Sequence, residues 1–218
     1  AALGLEVAVE SGAGLGAAIA DQQFRDAGAE IAPDAAAALA GAGVVLAVQM
    51  PGEAERAQIP RGALLICIAN AFATPDVVPA LAAAGIDAVA MELLPRITRA
   101  QAMDVLSSQA NLAGYRAIVE AAGAFERGFP MMMTAAGTVP PARVFVIGAG
   151  VAGLQAIATA RRLGAIVSAT DVRPAAKEEI KSLGGTFVGV EDEETAAQKG
   201  AYAGQMSEAF LKKQAELV

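Results

Sequence analysis

The chain has 218 residues, of which 55% are hydrophobic and 18% charged, and its formal net charge is −7. This content suffices for one large or two small folded domains and excludes general disorder. The acidic balance argues against a nucleic-acid partner, because such binding requires a basic surface. Histidine is absent, so the usual acid–base group and the commonest metal ligand are missing. We therefore expect no metal site and a chemistry supplied by a cofactor.

Cys67 is the single cysteine and lies within the apolar run Ala63–Ala69, which predicts a buried free thiol. No disulfide can form within the chain, and this suits a reducing compartment. The longest charge-free stretches, Ala35–Gly52 and Val144–Ala160, are interrupted by glycine and glutamine. Neither resembles the run of about 20 apolar residues that spans a bilayer, so we expect a soluble chain.

Short apolar strands alternate with alanine-rich helices through the first part of the chain. The predicted strands are Leu5–Glu10, Glu30–Ala32, Val44–Gln49, Ala63–Ala69 and Ala88–Leu93. The predicted helices are Asp21–Ala27, Asp34–Ala40 and Pro75–Ala84. Continuous apolar strands separated by helices are typical of a parallel sheet that is covered on both faces.

A long helix is predicted from Thr98 to Phe125, followed by a loop over Pro130–Pro141 and a second β–α–β–α–β run. That run comprises strand Arg143–Ile147, helix Ala152–Leu163, strand Ile166–Thr170, helix Pro174–Leu183 and strand Thr186–Val190. The predicted fold class is therefore α/β, with two Rossmann-like parallel-sheet subdomains joined by a long helix. We place the boundary between residues 128 and 129, so that the helix belongs to residues 1–128. Both subdomains are expected to be truncated, since residues 129–218 hold only half of a dinucleotide fold.

The segment Gly148-Ala149-Gly150-Val151-Ala152-Gly153 follows a strand and opens a helix, which is the arrangement of a dinucleotide-binding turn. Gly148 allows a sharp reversal, Gly150 lets a pyrophosphate approach the backbone, and Gly153 lets the helix pack on the strand. The helix N-terminus favours a phosphate group. The alternative is an ordinary glycine-tight β–α turn.

Asp171 ends the next strand, 18 residues after Gly153, where a carboxylate can accept hydrogen bonds from an adenosine ribose. A carboxylate there repels a 2′-phosphate and favours NAD over NADP. Arg173 weakens this inference, because a guanidinium at that place can accept a phosphate. A second glycine-rich segment, Gly12–Gly16, has the wrong spacing for the fingerprint, and a plain loop is the favoured interpretation.

Short hydrogen-bonding side chains recur within the predicted long helix at Gln101, Asp104, Ser108 and Asn111. Their spacing of three and four residues predicts one shared helix face. Ser107 lies beside them. Such groups suit either a binding site for amide and ribose hydroxyl groups or a polar seam between domains.

Two segments, Met91-Glu-Leu-Leu-Pro-Arg-Ile-Thr-Arg-Ala-Gln-Ala-Met-Asp and Thr134-Ala-Ala-Gly-Thr-Val-Pro-Pro, resemble the NAD(H)-binding domain of proton-translocating nicotinamide nucleotide transhydrogenase. That domain belongs to the α subunit in bacteria, within the alanine dehydrogenase/transhydrogenase family. The resemblance covers essentially the whole chain. It implies that the family's opening strand and the end of its second subdomain are missing here.

The resemblance also implies site residues. The family's loop that holds the nicotinamide, its ribose and the phosphates falls on Arg96, Ile97, Thr98, Gln101, Ala102, Met103, Asp104 and Ser107. Arg96, Gln101, Asp104 and Ser107 are the catalytic candidates. The remaining cofactor-binding candidates are Gly148, Ala149, Gly150, Val151, Gly153, Asp171, Val172, Arg173, Ala201 and Tyr202 of a mobile loop, and Gln214.

The implied reaction is hydride transfer from NADH to NADP⁺ held on a partner domain, coupled to proton translocation by a transmembrane domain of the same complex. The resemblance further implies a homodimer, a peripheral position on the cytoplasmic face of the inner membrane, and little activity of the isolated chain. Two alternatives remain. An alanine dehydrogenase-like oxidoreductase requires a catalytic histidine after the strand that contains Cys67, and none is present. A non-catalytic nucleotide-binding fragment is the other.

Overall fold

Parallel strands joined by helices build both halves of the chain. A computed structural model describes residues 4–95, 97–190 and 206–218. Its internal contacts separate two units, Ala1–Val105 and Leu106–Val218. The predicted α/β class with Rossmann-like parallel sheets is confirmed in both units.

In the first unit the strands are β1 (Ala8–Glu10), β2 (Glu30–Ala32), β3 (Val44–Gln49), β4 (Leu64–Ile68) and β5 (Asp87–Ala90). The helices are α1 (Asp21–Asp26), α2 (Ala35–Leu39), α3 (Glu53–Arg56) and α4 (Val77–Ala84). Strand β1 pairs with β2, and β3, β4 and β5 form a parallel sheet in that order. Leu65 of the central strand lies opposite Val45 and Ala88. The order of the strands therefore follows the order of the chain.

The core of the first unit surrounds the central strand β4. Leu65 is fully buried, and Cys67 is a buried free thiol, as the sequence predicts. Val45, Ile59, Leu81 and Ile86 complete the cluster with several alanines. Burial raises the pKa of the Cys67 thiol, and the nearby negative charge of Glu92 raises it further. The thiol is therefore a small core side chain and not a reactive nucleophile.

In the second unit the strands are β6 (Met132–Thr134), β7 (Gly137–Val139), β8 (Arg143–Ile147), β9 (Ile166–Thr170) and β10 (Thr186–Phe187). The helices are α5 (Val105–Ala124, whose first residue falls in the first unit), α6 (Val151–Arg162), α7 (Pro174–Ser182) and α8 (Glu208–Leu217). Strands β6 and β7 form an antiparallel hairpin. Strands β8, β9 and β10 form a parallel sheet in which β9 is central.

Small residues let the helices of the second unit lie close to the sheet and to each other. Ala156, Ile157 and Ala160 of α6 are buried in one cluster with Val167 and Ala169 of β9. On α5, a Cβ placed on the buried Gly114 would overlap the backbone of Ala152. Helix α5 therefore touches the first turn of α6 at backbone distance, and Ile118 joins the same core one turn later.

Two predictions about the middle of the chain are wrong. The predicted continuous helix from Thr98 to Phe125 is broken: a 3-10 helix spans Thr98–Met103, and α5 starts at Val105. Asp104 separates them with ψ 88°, outside the helical region, and aspartate favours positions just before a helix. The predicted loop Pro130–Pro141 contains the β6–β7 hairpin, whose residues are all exposed, so no alternation of burial marks its strands.

The division into units places most of α5 with the second unit, whereas the sequence assigned this helix to residues 1–128. Gly114 and Ile118 explain this grouping, because they pack on the second unit. The domain boundary at residues 128 and 129 stays a prediction. Within the described residues, no helix has the length and apolar character needed to cross a membrane.

Candidate functional site

The glycine turn (Gly148–Gly153) joins β8 to α6 and has the backbone geometry that its sequence predicts. Gly148 has φ 89°, in the left-handed region that glycine adopts without strain. Its N–H donates to Thr170 O at 2.8 Å, which ties the turn to the end of β9. Ala149 is fully buried. Gly150 has an extended backbone and occupies the N-cap position of α6.

Space lies outside the turn and close packing lies inside it. No atom of the described residues comes within 4 Å of a Cβ placed on Gly148 or Gly150. A Cβ on Gly153, in contrast, would overlap Gly148 O, so α6 packs directly on the turn. Helix α6 has no acidic residue in its first turn, and Arg161 and Arg162 lie in its last turn. The positive end of the helix dipole is therefore left available for an anion such as a phosphate.

A closed group of hydrogen bonds links the glycine turn to the end of β9. Asp171 Oδ2 accepts from Ala149 N–H at 2.7 Å, and Oδ1 accepts from Arg173 N–H at 2.8 Å. The Arg173 guanidinium donates to both carboxylate oxygens, through Nε at 3.0 Å and Nη2 at 3.1 Å. Nη2 also donates to Ala149 O at 3.0 Å. Both polar groups of Ala149 are thus bonded to the Asp171–Arg173 pair.

The pair is largely removed from solvent, with side chains 7% exposed for Asp171 and 15% for Arg173. Burial pushes the pKa of Asp171 upward, but the hydrogen bonds from Arg173 and Ala149 outweigh it, and the net pKa is lowered. The hydrogen bond to Asp171 raises the pKa of Arg173 against the opposite effect of burial. Both groups are therefore charged at neutral pH.

Gln214 reaches the same strand end from helix α8. Its Nε2 donates to Thr170 Oγ1 at 3.2 Å, and Thr170 is buried. Helix α8 is held by the buried Phe210 and begins at Ser207, whose hydroxyl accepts from Phe210 N–H at 3.1 Å. The structure thus brings Gln214 together with the glycine turn, Asp171 and Arg173. Val172 lies half-buried between the last two.

The candidates of the loop after β5 lie in the first unit. Ile97, Thr98, Gln101, Ala102 and Met103 are exposed on or beside the 3-10 helix, and Asp104 N–H donates to Gln101 O at 3.2 Å. Because the helix is interrupted, the shared face predicted for Gln101, Asp104, Ser108 and Asn111 does not exist as one α-helical face. Ser107 is half-buried in the first turn of α5 and is grouped with the second unit. Arg96, Ala201 and Tyr202 lie outside the described residues.

Sequence reasoning missed the structural role of Glu92, which follows β5. Its carboxylate accepts hydrogen bonds from the N–H groups of Ala69 at 2.9 Å and Ala71 at 3.0 Å. Between them, Asn70 adopts φ 52°. Burial opposes ionisation of Glu92, but the backbone hydrogen bonds prevail and its pKa is lowered. The available signal was its position, because the carboxyl ends of neighbouring parallel strands meet at one sheet edge.

Family models match both halves of the chain. The model described as alanine dehydrogenase/PNT, N-terminal domain, matches residues 1–113, and that of the C-terminal domain matches residues 117–215. A chain of the NAD(P) transhydrogenase subunit alpha of Rhodospirillum rubrum is 60% identical over 223 residues, covering 99% of this chain and 58% of that one. The NAD(P) transhydrogenase subunit alpha of Cereibacter sphaeroides is 46% identical over 214 residues, covering 97% of this chain and 41% of that subunit.

Solved structures agree with this assignment. The transhydrogenase from Sinorhizobium meliloti superposes with a TM-score of 0.86 at 54% identity, over 99% of this chain and 57% of that one. An L-alanine dehydrogenase superposes less well, with a TM-score of 0.73 at 26% identity over 85% of this chain and 53% of that one. The chain spans between about two fifths and three fifths of the length of these relatives. It belongs to the alanine dehydrogenase/PNT family and lies far closer to the transhydrogenase α subunit than to alanine dehydrogenase.

Proposed function

We propose that this chain is the NAD(H)-binding part of a proton-translocating NAD(P) transhydrogenase. The observation that carries the proposal is the glycine turn at the start of α6, open above Gly148 and Gly150 and bonded to Asp171 at the end of the adjacent strand. That arrangement fits a pyrophosphate at the helix N-terminus and a ribose at the strand end. The 60% identity to a transhydrogenase α subunit supports the reaction.

Each group of residues has a proposed role. The turn residues Ala149, Gly150 and Val151 bind the pyrophosphate, with Gly148 and Gly153 shaping the turn. Asp171, Val172 and Arg173 surround the adenosine, and Gln214 supports the end of β9 through Thr170. The loop from Arg96 to Ser107 holds the nicotinamide and its ribose. Tyr202 and Ala201 belong to a segment that closes over the nucleotide.

In the proposed reaction, NADH gives the hydride on C4 of its ring to C4 of NADP⁺ on a partner domain, leaving NAD⁺ and NADPH. The electron pair and the proton move together as hydride, so the protein need not supply an acid or a base at this step. Its contribution is to position the ring and exclude water. A chain without histidine is suited to such chemistry.

Alanine dehydrogenase activity is disfavoured. The end of β4, where the resemblance requires a catalytic histidine, carries Ala69, Asn70 and Ala71, and two of their N–H groups bond Glu92. No histidine exists elsewhere in the sequence to replace it. The lower identity to alanine dehydrogenase agrees with this.

The proposed partners are an NADP(H)-binding domain and a transmembrane domain of the same complex, together with a second copy of this chain. The corresponding location is the cytoplasmic face of the inner membrane. The names of the relatives support these partners, since they denote one subunit, or a portion of one, of an NAD(P) transhydrogenase.

Calorimetric titration of the full-length protein with NADH tests the binding role directly. We expect a dissociation constant in the micromolar range, since a pyrophosphate and two riboses contribute. Affinity no better than millimolar contradicts the proposal and favours a non-catalytic scaffold.

Gln101→Asn in the complete enzyme tests the nicotinamide assignment. The shortened side chain is expected to slow hydride transfer about tenfold or more while changing NADH affinity less than about threefold, because positioning affects the transition state more than the bound ground state. The matched control is Gln22→Asn, an exposed glutamine that bonds Asp26 in the first unit. Equal losses in rate and affinity remove Gln101 from a positioning role.

A further inference from the structure

The acceptor positions of Asp171 are already filled by the chain itself. Each carboxylate oxygen accepts two hydrogen bonds: Oδ1 from Arg173 N–H and Nε, and Oδ2 from Ala149 N–H and Arg173 Nη2. An ionised carboxylate offers about four acceptor positions. A ribose hydroxyl therefore reaches Asp171 by exchanging with one of these donors, and the guanidinium contributes two of the four.

Arg173 occupies the place in the fold where a guanidinium can serve a 2′-phosphate, directly after the second strand of a dinucleotide-binding unit. Here its side chain is turned inward, against Asp171 and Ala149 O. Turning Arg173 outward to a phosphate would leave an ionised and nearly buried Asp171 facing a second anion. Both effects oppose the binding of a 2′-phosphorylated nucleotide.

We infer that Asp171 excludes NADP(H) from this site chiefly by holding Arg173, so that Arg173 is a latent 2′-phosphate-binding residue released when the carboxylate charge is lost. The inference rests on the proposed NAD(H)-binding function. Asp171→Asn keeps an acceptor for Ala149 N–H, but it leaves the guanidinium without a counter-charge. A 2′-phosphate then supplies that charge through bidentate hydrogen bonds.

The test measures how well 5′-AMP and 2′,5′-ADP displace NADH from the full-length protein in the absence of NADP⁺. These two competitors differ only in the 2′-phosphate. Only displaced NADH is counted, so binding of either competitor at another nucleotide site does not contribute. The quantity compared is the ratio of the two inhibition constants at fixed ionic strength, for wild type, Asp171→Asn, Arg173→Met and the double variant.

Wild type is expected to prefer 5′-AMP. Asp171→Asn is expected to shift the ratio about tenfold or more toward 2′,5′-ADP, and the double variant to lose that gain. Arg173→Met alone is expected to change the affinity for 2′,5′-ADP less than about threefold, because the guanidinium is held away from the phosphate. Glu178→Gln is the matched control: it removes one negative charge and breaks an exposed ion pair with Lys181 in the same unit.

Three results overturn the inference: an unchanged ratio in Asp171→Asn, a gain that persists in the double variant, or a large loss of 2′,5′-ADP binding in Arg173→Met alone. If Asp171→Asn does not fold, Asp171→Ser, which also keeps a side-chain acceptor, gives the same comparison. Failure of wild type to bind NADH contradicts the proposed function instead, so the two failures are distinguishable.

Discussion

The chain contains two glycine-rich loops that begin helices, and they differ in what fills the space around them. The N-terminal loop, Gly12–Gly16, precedes the six-residue helix α1, and the glycine turn precedes the twelve-residue helix α6. In the N-terminal loop, Asp21 Oδ1 accepts from Gly12 N–H at 2.8 Å, and Oδ2 accepts from the Ser11 hydroxyl at 2.8 Å. Asp21 itself lies in the first turn of α1.

The N-terminal loop therefore carries its own anion at the helix N-terminus. Its interior is closed as well, since a Cβ on Gly14 would lie 2.5 Å from Ile19 O and 2.7 Å from the Phe24 ring. The glycine turn has the opposite arrangement, with packing only on the inner side at Gly153 and open space above Gly148 and Gly150. Glycine content alone does not distinguish a phosphate site from a plain loop; the position of the nearest carboxylate and the open space do.

The largest expected effect is that of Gly153→Ala. The methyl group would overlap Gly148 O, so α6 must move off the turn, at a cost of about 3 kcal/mol in the free energy of unfolding. NADH affinity is expected to fall more than about tenfold, because the pyrophosphate position moves with the turn. Urea denaturation and NADH titration measure both quantities. Unchanged NADH affinity in a folded variant would show that the turn does not hold the nucleotide.

Acid should weaken the two loops to different degrees. The pKa values of Asp171 and Asp21 are both lowered on folding, so each stabilises the protein fully above the unfolded-state pKa near about 3.9, and that stability is lost as pH falls through the lower folded value. The effect is larger for the nearly buried Asp171. Asp171→Asn is expected to cost about 2 kcal/mol at pH 7 and progressively less from about pH 4 downward.

Urea denaturation of wild type and Asp171→Asn at pH 7, 5, 4 and 3 measures this difference. Asp21→Asn, at the exposed N-terminal loop, provides the comparison and is expected to show a smaller change with the same sign. A stability difference for Asp171→Asn that grows toward low pH contradicts a lowered pKa.

Gly14→Ala should separate stability from nucleotide binding. Its methyl group meets Ile19 O and the Phe24 ring, so the first unit is expected to lose about 1–2 kcal/mol. NADH affinity is expected to stay within about twofold, because the N-terminal loop binds its own carboxylate and not the nucleotide. A fall in NADH affinity comparable to that of Gly153→Ala would place a nucleotide site at both loops.

The smallest effect is expected for Gly16→Ala. Gly16 lies in a 3-10 helix, and no atom of the described residues comes within 4 Å of its Cβ position. Stability should change by less than about 0.5 kcal/mol, or rise slightly as the unfolded chain becomes less flexible. The same denaturation and titration experiments check it. A marked loss in either would mean that this loop contacts a group that its local geometry does not explain.

Much of the fold was predictable because strand and helix periodicities are local. Strands β3, β8 and β9 have the predicted bounds, and the glycine turn lies where its spacing places it. The break at Asp104 was not predictable from the polar spacing, since residues of a 3-10 helix followed by an α-helix satisfy the same three- and four-residue intervals. The β6–β7 hairpin was missed because all its residues are exposed and show no alternation.

By itself, the sequence determined the α/β class, the position of the glycine turn and the presence of Asp171 and Arg173 after the adjacent strand. Chain order fixes these features, because each depends on residues within a few positions of one another. Only the tertiary structure decided that Arg173 is bonded to Asp171 and to Ala149 O, 24 residues away. The direction of a long, flexible guanidinium depends on which acceptors the fold brings near it. For the same reason, the sequence left the choice between NAD and NADP open at Arg173.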